Sequence, residues 1–354
     1  MQTELSIVML VYKTAHLLTR SLDSIVSSYG YSPQKVEIVV VSDASPDNCD
    51  DVIAEYQRAH PGIRYVRREI NGGEAKARNS GLENCTGKYV TSVDADDTVD
   101  VRYVETLLQV IECHAPDMIS FGYRICDAEG TPQQKYHDWM PETLEADVSR
   151  SSRRRTFDLF AMNLRFNAVI RRDVIKDQKY EDQYKLGVDM LFNFRAYLKS
   201  KKFCAAGMVI HNYHQYGSSL THNFKPEGIL DLLRIHSLCM DELRQQGWYF
   251  ETADLIFRYF NMNYRSWVLD EILRFGSDTK VAKQFRANYL RVVDDAFAAG
   301  AIGKGKNAFY RTCLESNDLS ACLALRNRFA RADMYDKLVR WCGRKLRELK
   351  GWLS

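Results

Sequence analysis

No CxxC pair and no Cys/His spacing suited to zinc occurs in the 354 residues, although nine cysteines are scattered through them. An odd count without framework spacing argues against a disulfide scaffold and fits thiols kept reduced. Cys113 and Cys204 lie in apolar runs and read as small buried residues. No run reaches the ~18 apolar residues that a bilayer-spanning helix needs. Met1–Glu4 is polar and the apolar run after it is short, so no signal peptide is expected and the chain is expected to be cytoplasmic. The first apolar run leads into Tyr12-Lys13-Thr14-Ala15-His16, with no glycine, so the Gly-x-Gly-x-x-Gly of dinucleotide binding is missing, and no P-loop occurs. A formal net charge of only +3 gives no sign of a nucleic-acid partner, and none is expected.

What is present is the material of a folded protein. A hydrophobic fraction of 45% and an aromatic fraction of 12% can fill a sizeable core, in one large domain or two ordinary ones. Apolar runs and amphipathic segments alternate through the first hundred residues. Leu5–Val11 reads as a buried parallel strand and Thr14–Ser28 as a helix. Val36–Val41, Cys49–His60, Ile63–Arg67, the helix Ala75–Cys85 and the strand Tyr89–Val93 continue the alternation. This is the pattern of a doubly wound α/β sheet, whose ligand crevice lies outside the carboxyl ends of the strands.

The polar clusters fall at those ends. Asp43 follows the second strand and Asn71 the third, while Asp94, Asp96 and Asp97 close the fourth. Three carboxylates within four residues repel one another unless a cation sits among them. Mg²⁺ and Mn²⁺ take oxygen ligands, typically one or two carboxylates plus substrate phosphates. The competing reading is a solvated turn in which Asp97 or Thr98 caps the helix Val101–Cys113.

Four stretches then carry a resemblance. They are Ser6-Ile-Val-Met-Leu-Val-Tyr-Lys13, Ile38-Val-Val-Val-Ser-Asp-Ala-Ser-Pro-Asp47, Asn71-Gly-Gly-Glu-Ala-Lys-Ala-Arg-Asn-Ser-Gly-Leu82 and Gly87-Lys-Tyr-Val-Thr-Ser-Val-Asp-Ala-Asp-Asp97. In this order and spacing they resemble the family 2 glycosyltransferases, closely from Leu5 to about Phe121 and more loosely to Asn223. Leu10 stands where that family usually has Pro, Lys13 where it has Asn, and Ser42 where it has the first of two Asp.

The resemblance implies a GT-A nucleotide-diphospho-sugar transferase fold, with a Rossmann-like mixed sheet, over residues 1–224. Residues 1–122 would form the nucleotide-binding half and 123–224 the acceptor and catalytic-base half, and an all-helical region would follow over 225–354. It also implies roles. Asp43 would hydrogen-bond a pyrimidine base whose pocket Val11 and Tyr12 line. Arg78 would approach the base or diphosphate. Asp94 would contact the ribose beside Ala95, and Asp96, with Asp97 adjacent, would hold Mn²⁺ or Mg²⁺ on the diphosphate. Such a cation assists a departing nucleoside diphosphate as a Lewis acid. The alternative for Arg78 is an ordinary surface arginine.

Inverting sugar transfer also needs a general base near the acceptor hydroxyl. The family takes it from a Glu-Asp pair before an apolar helix. Leu186-Gly-Val-Asp189-Met-Leu-Phe-Asn193 fits that context, with Val188 at the usual Glu, so Asp189 is the expected base. Glu181-Asp182 is the nearer literal match but lacks the helix, and leaves Asp182 as the rival. His211–His222 resembles the segment that closes over the donor. Ser219, with Ser218 and Thr221, would donate to phosphate, and His222 or His214 would complete the metal shell.

Less is legible elsewhere. Asp117–Gly122 reads as a strand, Tyr123–Trp139 as a polar excursion and the basic run Arg150–Arg155 as a loop, with an anionic acceptor as its alternative partner. Asn167–Ile175 resembles the strand-and-helix element before the base. Helices are expected over 229–245, 252–273, 281–299 and 307–315. Leu323–Ser354 carries nine Lys/Arg against three acids, and Arg331–Leu353 sets Trp341 and Trp352 opposite basic residues. That helix suits a membrane surface at the inner face of the cell membrane, packing on its own domain, or a homo-oligomer contact.

The expected activity is therefore inverting transfer of a sugar from a UDP-sugar to a glycan, glycoprotein or lipid-linked acceptor. A degenerate partner subunit is the alternative, supported by Ser42, Lys13 and Val188. A nucleotidyltransferase is a further one, but the Gly-rich basic loop it wants after the first strand is absent.

Overall fold

The computed structural model describes residues 3–135, 144–149, 151–161, 168–216, 226–263, 280–300 and 302–315. At its centre is β1 (Leu5–Val11), an almost wholly buried strand paired in parallel with β2 (Val36–Ser42) on one side and β4 (Tyr89–Ser92) on the other. Strand β3 (Ile63–Arg67) extends the sheet beyond β2. The helices α1 (Ala15–Val26), α2 (Cys49–Ala59) and α3 (Glu74–Asn84) make the crossovers; α1 and α2 are amphipathic and bury Leu18, Leu22, Ile25 and Ile53 against the β-branched strands. Helix α3 lies so close that a Cβ on Gly81 would stand 2.4 Å from Val8 Cγ1. Glycine is the residue that permits this approach.

After β4 come β5 (Thr98–Val99), helix α4 (Tyr103–His114) and β6 (Met118–Cys126). Strand β9 (Val169–Arg171) then inserts antiparallel between β4 and β6, and β10 (Lys202–His214) lies parallel to β6, with β5 antiparallel at its far end. The sheet is thus mixed, in the order β3-β2-β1-β4-β9-β6-β10-β5.

Two expectations for the middle of the chain are corrected. The polar stretch after Gly122 is not all excursion: β6 runs on to Cys126, and β7 (Pro132–Lys135) returns antiparallel beside it. A short added strand takes its ladder from a neighbouring backbone, so its own side chains carry little β signal. The basic run is not a loop throughout either. β8 (Leu144–Asp147) pairs with β10, and Arg153–Arg155 form the first turn of α5 (Arg153–Ala161). Phe157 and Phe160 supply its buried stripe, packing edge-on and stacked against Phe194, Tyr197 and Phe203. Arg150 itself lies outside the described residues.

A 3₁₀ turn (Arg172–Ile175) and a loop lead to α6 (Val188–Lys199), which begins after Gly187, at φ 79°. The chain forms two compact units, Met1–Asp231 and Leu232–Ser354, divided within α7 (Pro226–Gln245). In the second unit, α7, α8 (Tyr249–Asn263), α9 (Lys280–Ala298) and α10 (Lys304–Glu315) bury Ile235, Leu243, Ile256, Phe285, Val292 and Leu314. Tyr249 Oη donates to the Asp295 carbonyl at 2.8 Å, joining the start of α8 to the end of α9. The basic helix expected over Arg331–Leu353 lies outside the described residues. No helix among the described residues is long and apolar enough to cross a membrane.

Candidate active site

The carboxyl ends of β1, β2 and β4 open on one side of the sheet, where the order of strands reverses around β1. At the end of β2, Asp43 is nearly buried and its carboxylate is oriented by protein donors. It accepts from Gly72 N at 3.1 Å and Gly73 N at 2.8 Å and pairs with the Arg68 guanidinium. The Asn71-Gly72-Gly73 turn is therefore folded around Asp43. The following turn ties the β1–α1 loop: Lys13 N donates to Ser45 Oγ (2.8 Å) and Ala15 N to Asp47 Oδ2 (2.9 Å). Lys13 adopts φ 59°, a left-handed conformation that asparagine tolerates better than lysine. Ser42 is fully buried, its hydroxyl against Cys49 Sγ and Ser45 N, so this departure from the family pattern faces the core.

Of the expected base-pocket residues, Tyr12 presents its ring to solvent at 44% exposure. Val11 does not present its side chain: it is buried in the core, and its carbonyl accepts from Asp43 N at 3.2 Å. Ala95 is likewise a core side chain.

The β4 end divides its three carboxylates between two faces. Asp94 is half exposed and receives Arg78 Nη2 at 3.2 Å. Asp96 is pushed up to about 7 by burial and by the charges of Asp97 and Asp94. Asp97 is turned inward, and the expectation that it joins a metal shell meets a different geometry: Oδ1 accepts from His214 N at 2.9 Å and Oδ2 faces His211 Nε2 at 2.8 Å. Both oxygens thus tie the loop to β10. His214 is turned the same way, with Nε2 on Thr98 Oγ1 (2.9 Å) and Nδ1 facing the Asp127 carbonyl (3.1 Å). Arg20 and Tyr216, which carry no signal in the sequence, brace the same loop from outside. Arg20 Nη2 donates to the Asp96 carbonyl at 3.0 Å, and Tyr216 Oη reaches it at 3.4 Å.

Helix α3 joins these ends to the far side of the crevice. Arg78 is 4% exposed; its Nε meets Glu74 Oε1 at 2.8 Å, its Nη1 donates to Ser92 Oγ at 2.8 Å, and its plane faces the Tyr180 ring at 5.8 Å. Burial opposes its charge, but Glu74 and Asp94 outweigh that and hold the guanidinium well above its ordinary range. Arg78 is thus an interior hub and not a surface arginine. Glu74, quoted in the motif but given no role from sequence, belongs to that hub.

Asp189 lies in the first turn of α6, where Met190 N donates to its Oδ1 at 2.8 Å. Burial and Glu74 push it up to about 7, with Arg78 opposing and Asp94 adding to the rise. A carboxylate held near 7 is poised to accept a proton at neutral pH. Its rival Asp182 is exposed and lies 3.5 Å from Lys76 Nζ in a surface ion pair. Ser219 and His222, with Ser218 and Thr221, lie outside the described residues. Among the described residues no three His, Cys, Asp or Glu side chains form a ready-made cation cage. Two carboxylates in mutual repulsion at Asp94 and Asp96, one of them raised to about 7, fit a cation that draws its remaining ligands from phosphate.

Residues 6–178 match the family model described as Glycosyl transferase family 2. Among curated relatives, glycosyltransferase GlyA of Streptococcus pneumoniae is 27% identical over 228 residues, covering 62% of this chain and 31% of GlyA. Poly(ribitol-phosphate) beta-N-acetylglucosaminyltransferase TarS of Staphylococcus aureus is 23% identical, covering 65% of this chain and 39% of TarS. The chain therefore spans well under half the length of these relatives. The crystal structure of S. aureus TarS 1–349 in complex with UDP-GlcNAc superposes with a TM-score of 0.72 at 18% identity, covering 93% of this chain and 92% of that one. Residues 6–178 thus form a glycosyl transferase family 2 domain, and the fold is GT-A.

Proposed function

We propose that the chain transfers a sugar from a UDP-sugar to a hydroxyl of a bacterial surface glycan, with inversion at the anomeric carbon. The observation that carries this reading is the Arg78 hub, which sets donor-side Asp94 and base candidate Asp189 within electrostatic reach of each other at the edge of one crevice. Asp43, clasped and oriented by Gly72, Gly73 and Arg68, would accept from the nucleobase, with the Tyr12 ring beside it. Asp94 and Asp96 would hold Mn²⁺ or Mg²⁺, which would neutralise the charge growing on the leaving diphosphate. Asp189 would take the proton from the acceptor hydroxyl. The preference for UDP rests on the complexes of TarS with UDP-GlcNAc and with UDP. The surface-glycan acceptor rests on relatives named for teichoic acid synthesis, GgaB of Bacillus subtilis among them.

The test is a calorimetric titration of UDP in the presence of Mn²⁺, on wild type and on Asp96→Ala. Metal-dependent binding that collapses in the variant supports the reading, and screening UDP-sugars for hydrolysis then identifies the donor. Equal binding with EDTA removes the metal from the mechanism. Absence of any nucleotide binding removes the transferase reading and leaves a degenerate partner subunit.

A further inference from the structure

The segment that carries Asp189 is fastened to α3 by one side chain. Asn79, immediately after Arg78, donates from Nδ2 to the Tyr180 carbonyl at 2.9 Å and accepts at Oδ1 from Tyr180 N at 2.8 Å. An amide that both donates to and accepts from the same residue's backbone fixes that residue in position and orientation, since both bonds must break for it to turn. The pinned Tyr180 ring then stacks on Phe192 of α6, with centroids 3.9 Å apart and planes 5° from parallel. The ring also faces the Arg78 guanidinium, 5.8 Å from its centroid. Phe192 stands one helical turn after Asp189 on the same helix, so the chain of contact is short: Asn79, Tyr180, Phe192, Asp189.

Two exposed ion pairs join the same segment to α3, Lys179–Glu83 at 3.1 Å and Lys76–Asp182 at 3.5 Å. Exposed pairs of this kind contribute little to position. The Asn79 clasp is partly shielded, bidentate and adjacent to the hub. We propose that Asn79 is a positioning residue, which sets the distance between the donor-binding side at Arg78 and the base-bearing helix α6 by clamping the backbone of Tyr180. The proposal rests on the transferase reading for its catalytic consequence, but the clamp itself is a mechanical statement about residues 179–192. The charged and titratable groups facing Asp189 are Glu74 and Arg78 from α3, Asp94 from the β4 end and Tyr180 from the clamped segment. All but Asp94 are in the clasped elements.

The experiment has two arms, run on the full chain. In the first, amide hydrogen exchange is followed by mass spectrometry over residues 176–199 for wild type, Asn79→Ala and Lys179→Ala. Faster exchange in 179–192 in Asn79→Ala, with Lys179→Ala unchanged, is expected; equal exchange in all three overturns the clamp. A global rise in exchange marks a folding defect, and Asn79→Asp, which keeps the acceptor oxygen, then decides by showing an intermediate local effect or, against the proposal, none. In the second arm, turnover of the UDP-sugar found by the hydrolysis screen is measured for Asn79→Ala, Asp189→Asn and the double variant. The Asn79→Ala change should lower kcat about tenfold to a hundredfold, as small misplacements of catalytic groups do, and leave the donor KM within about twofold. It should add little in the Asp189→Asn background, where there is no base to misplace. A full additional loss in the double variant overturns the link to Asp189. If wild type binds no nucleotide, the transferase reading fails, and the exchange arm still decides the clamp.

Discussion

The two sides of the crevice treat their carboxylates in opposite ways. Asp43 is surrounded by donors that the protein itself supplies, so its orientation is complete before any ligand arrives. Asp96 and Asp189 are partly buried near other acids, and both are pushed up to about 7. One side is pre-organised for recognition, which lowers the ordering cost of binding. The other holds unneutralised charge, which is the condition in which a cation, a diphosphate or a transferable proton has most effect. Recognition is built to be rigid and chemistry to be incomplete.

That contrast can be broken at several points. The largest expected effect is Asp189→Asn, which should lower turnover by about 10²- to 10⁴-fold, the range for loss of a general base, while UDP affinity by calorimetry stays unchanged. In wild type the rate should rise with pH through about 7, because below that value Asp189 is protonated and cannot accept a proton; the limb should vanish in the variant. Next, Asp96→Asn should weaken Mn²⁺-dependent UDP binding by at least about tenfold and leave metal-free binding untouched. On the rigid side, Asp43→Asn should act differently, weakening UDP binding with or without metal by about 1.5–3 kcal/mol, the worth of a hydrogen bond to a charged group. It should also lower stability in urea unfolding, since Arg68 loses its partner.

The smallest effect is on the unliganded protein. A carboxyl raised from 3.8 to about 7 stabilises the fold below about pH 4, and that contribution is lost as pH rises through 7. The melting temperature without metal should therefore fall between pH 5 and 8, and Mn²⁺ should restore part of it. A profile that is flat and indifferent to Mn²⁺ would remove the distinction between the two sides.

Much of the rigid side was legible from sequence, because its chemistry sits in contiguous motifs at strand ends. Asp43, the Gly72-Gly73 turn and the four alternating strands follow from local pattern and α/β topology. The chemical side was legible only in its carboxylates. That Asp97 turns inward depends on β10, which arrives more than a hundred residues later to offer His211 and the His214 amide. Arg20, Tyr216 and Asn79 act through backbone atoms of distant residues, and a bond to a carbonyl leaves no complementary residue type to find. Strands β7 and β8 are four residues long and take their register from neighbours, so period-2 patterning had too little length to register them.

The arrangement around Arg78 also limits how this chain can drift. Its guanidinium serves Glu74, Ser92 and Asp94 along diverging directions while lying against the Tyr180 ring. A lysine offers one compact charge on a flexible stem and could satisfy part of that set at a time. Exposed positions on the same helix, such as Lys76, are open to substitution, whereas position 78 has no chemical substitute among the twenty residues. A single planar cation thus makes one site in α3 intolerant of exchange, and through it couples the histories of a turn, a strand end and a helix that the sequence keeps far apart.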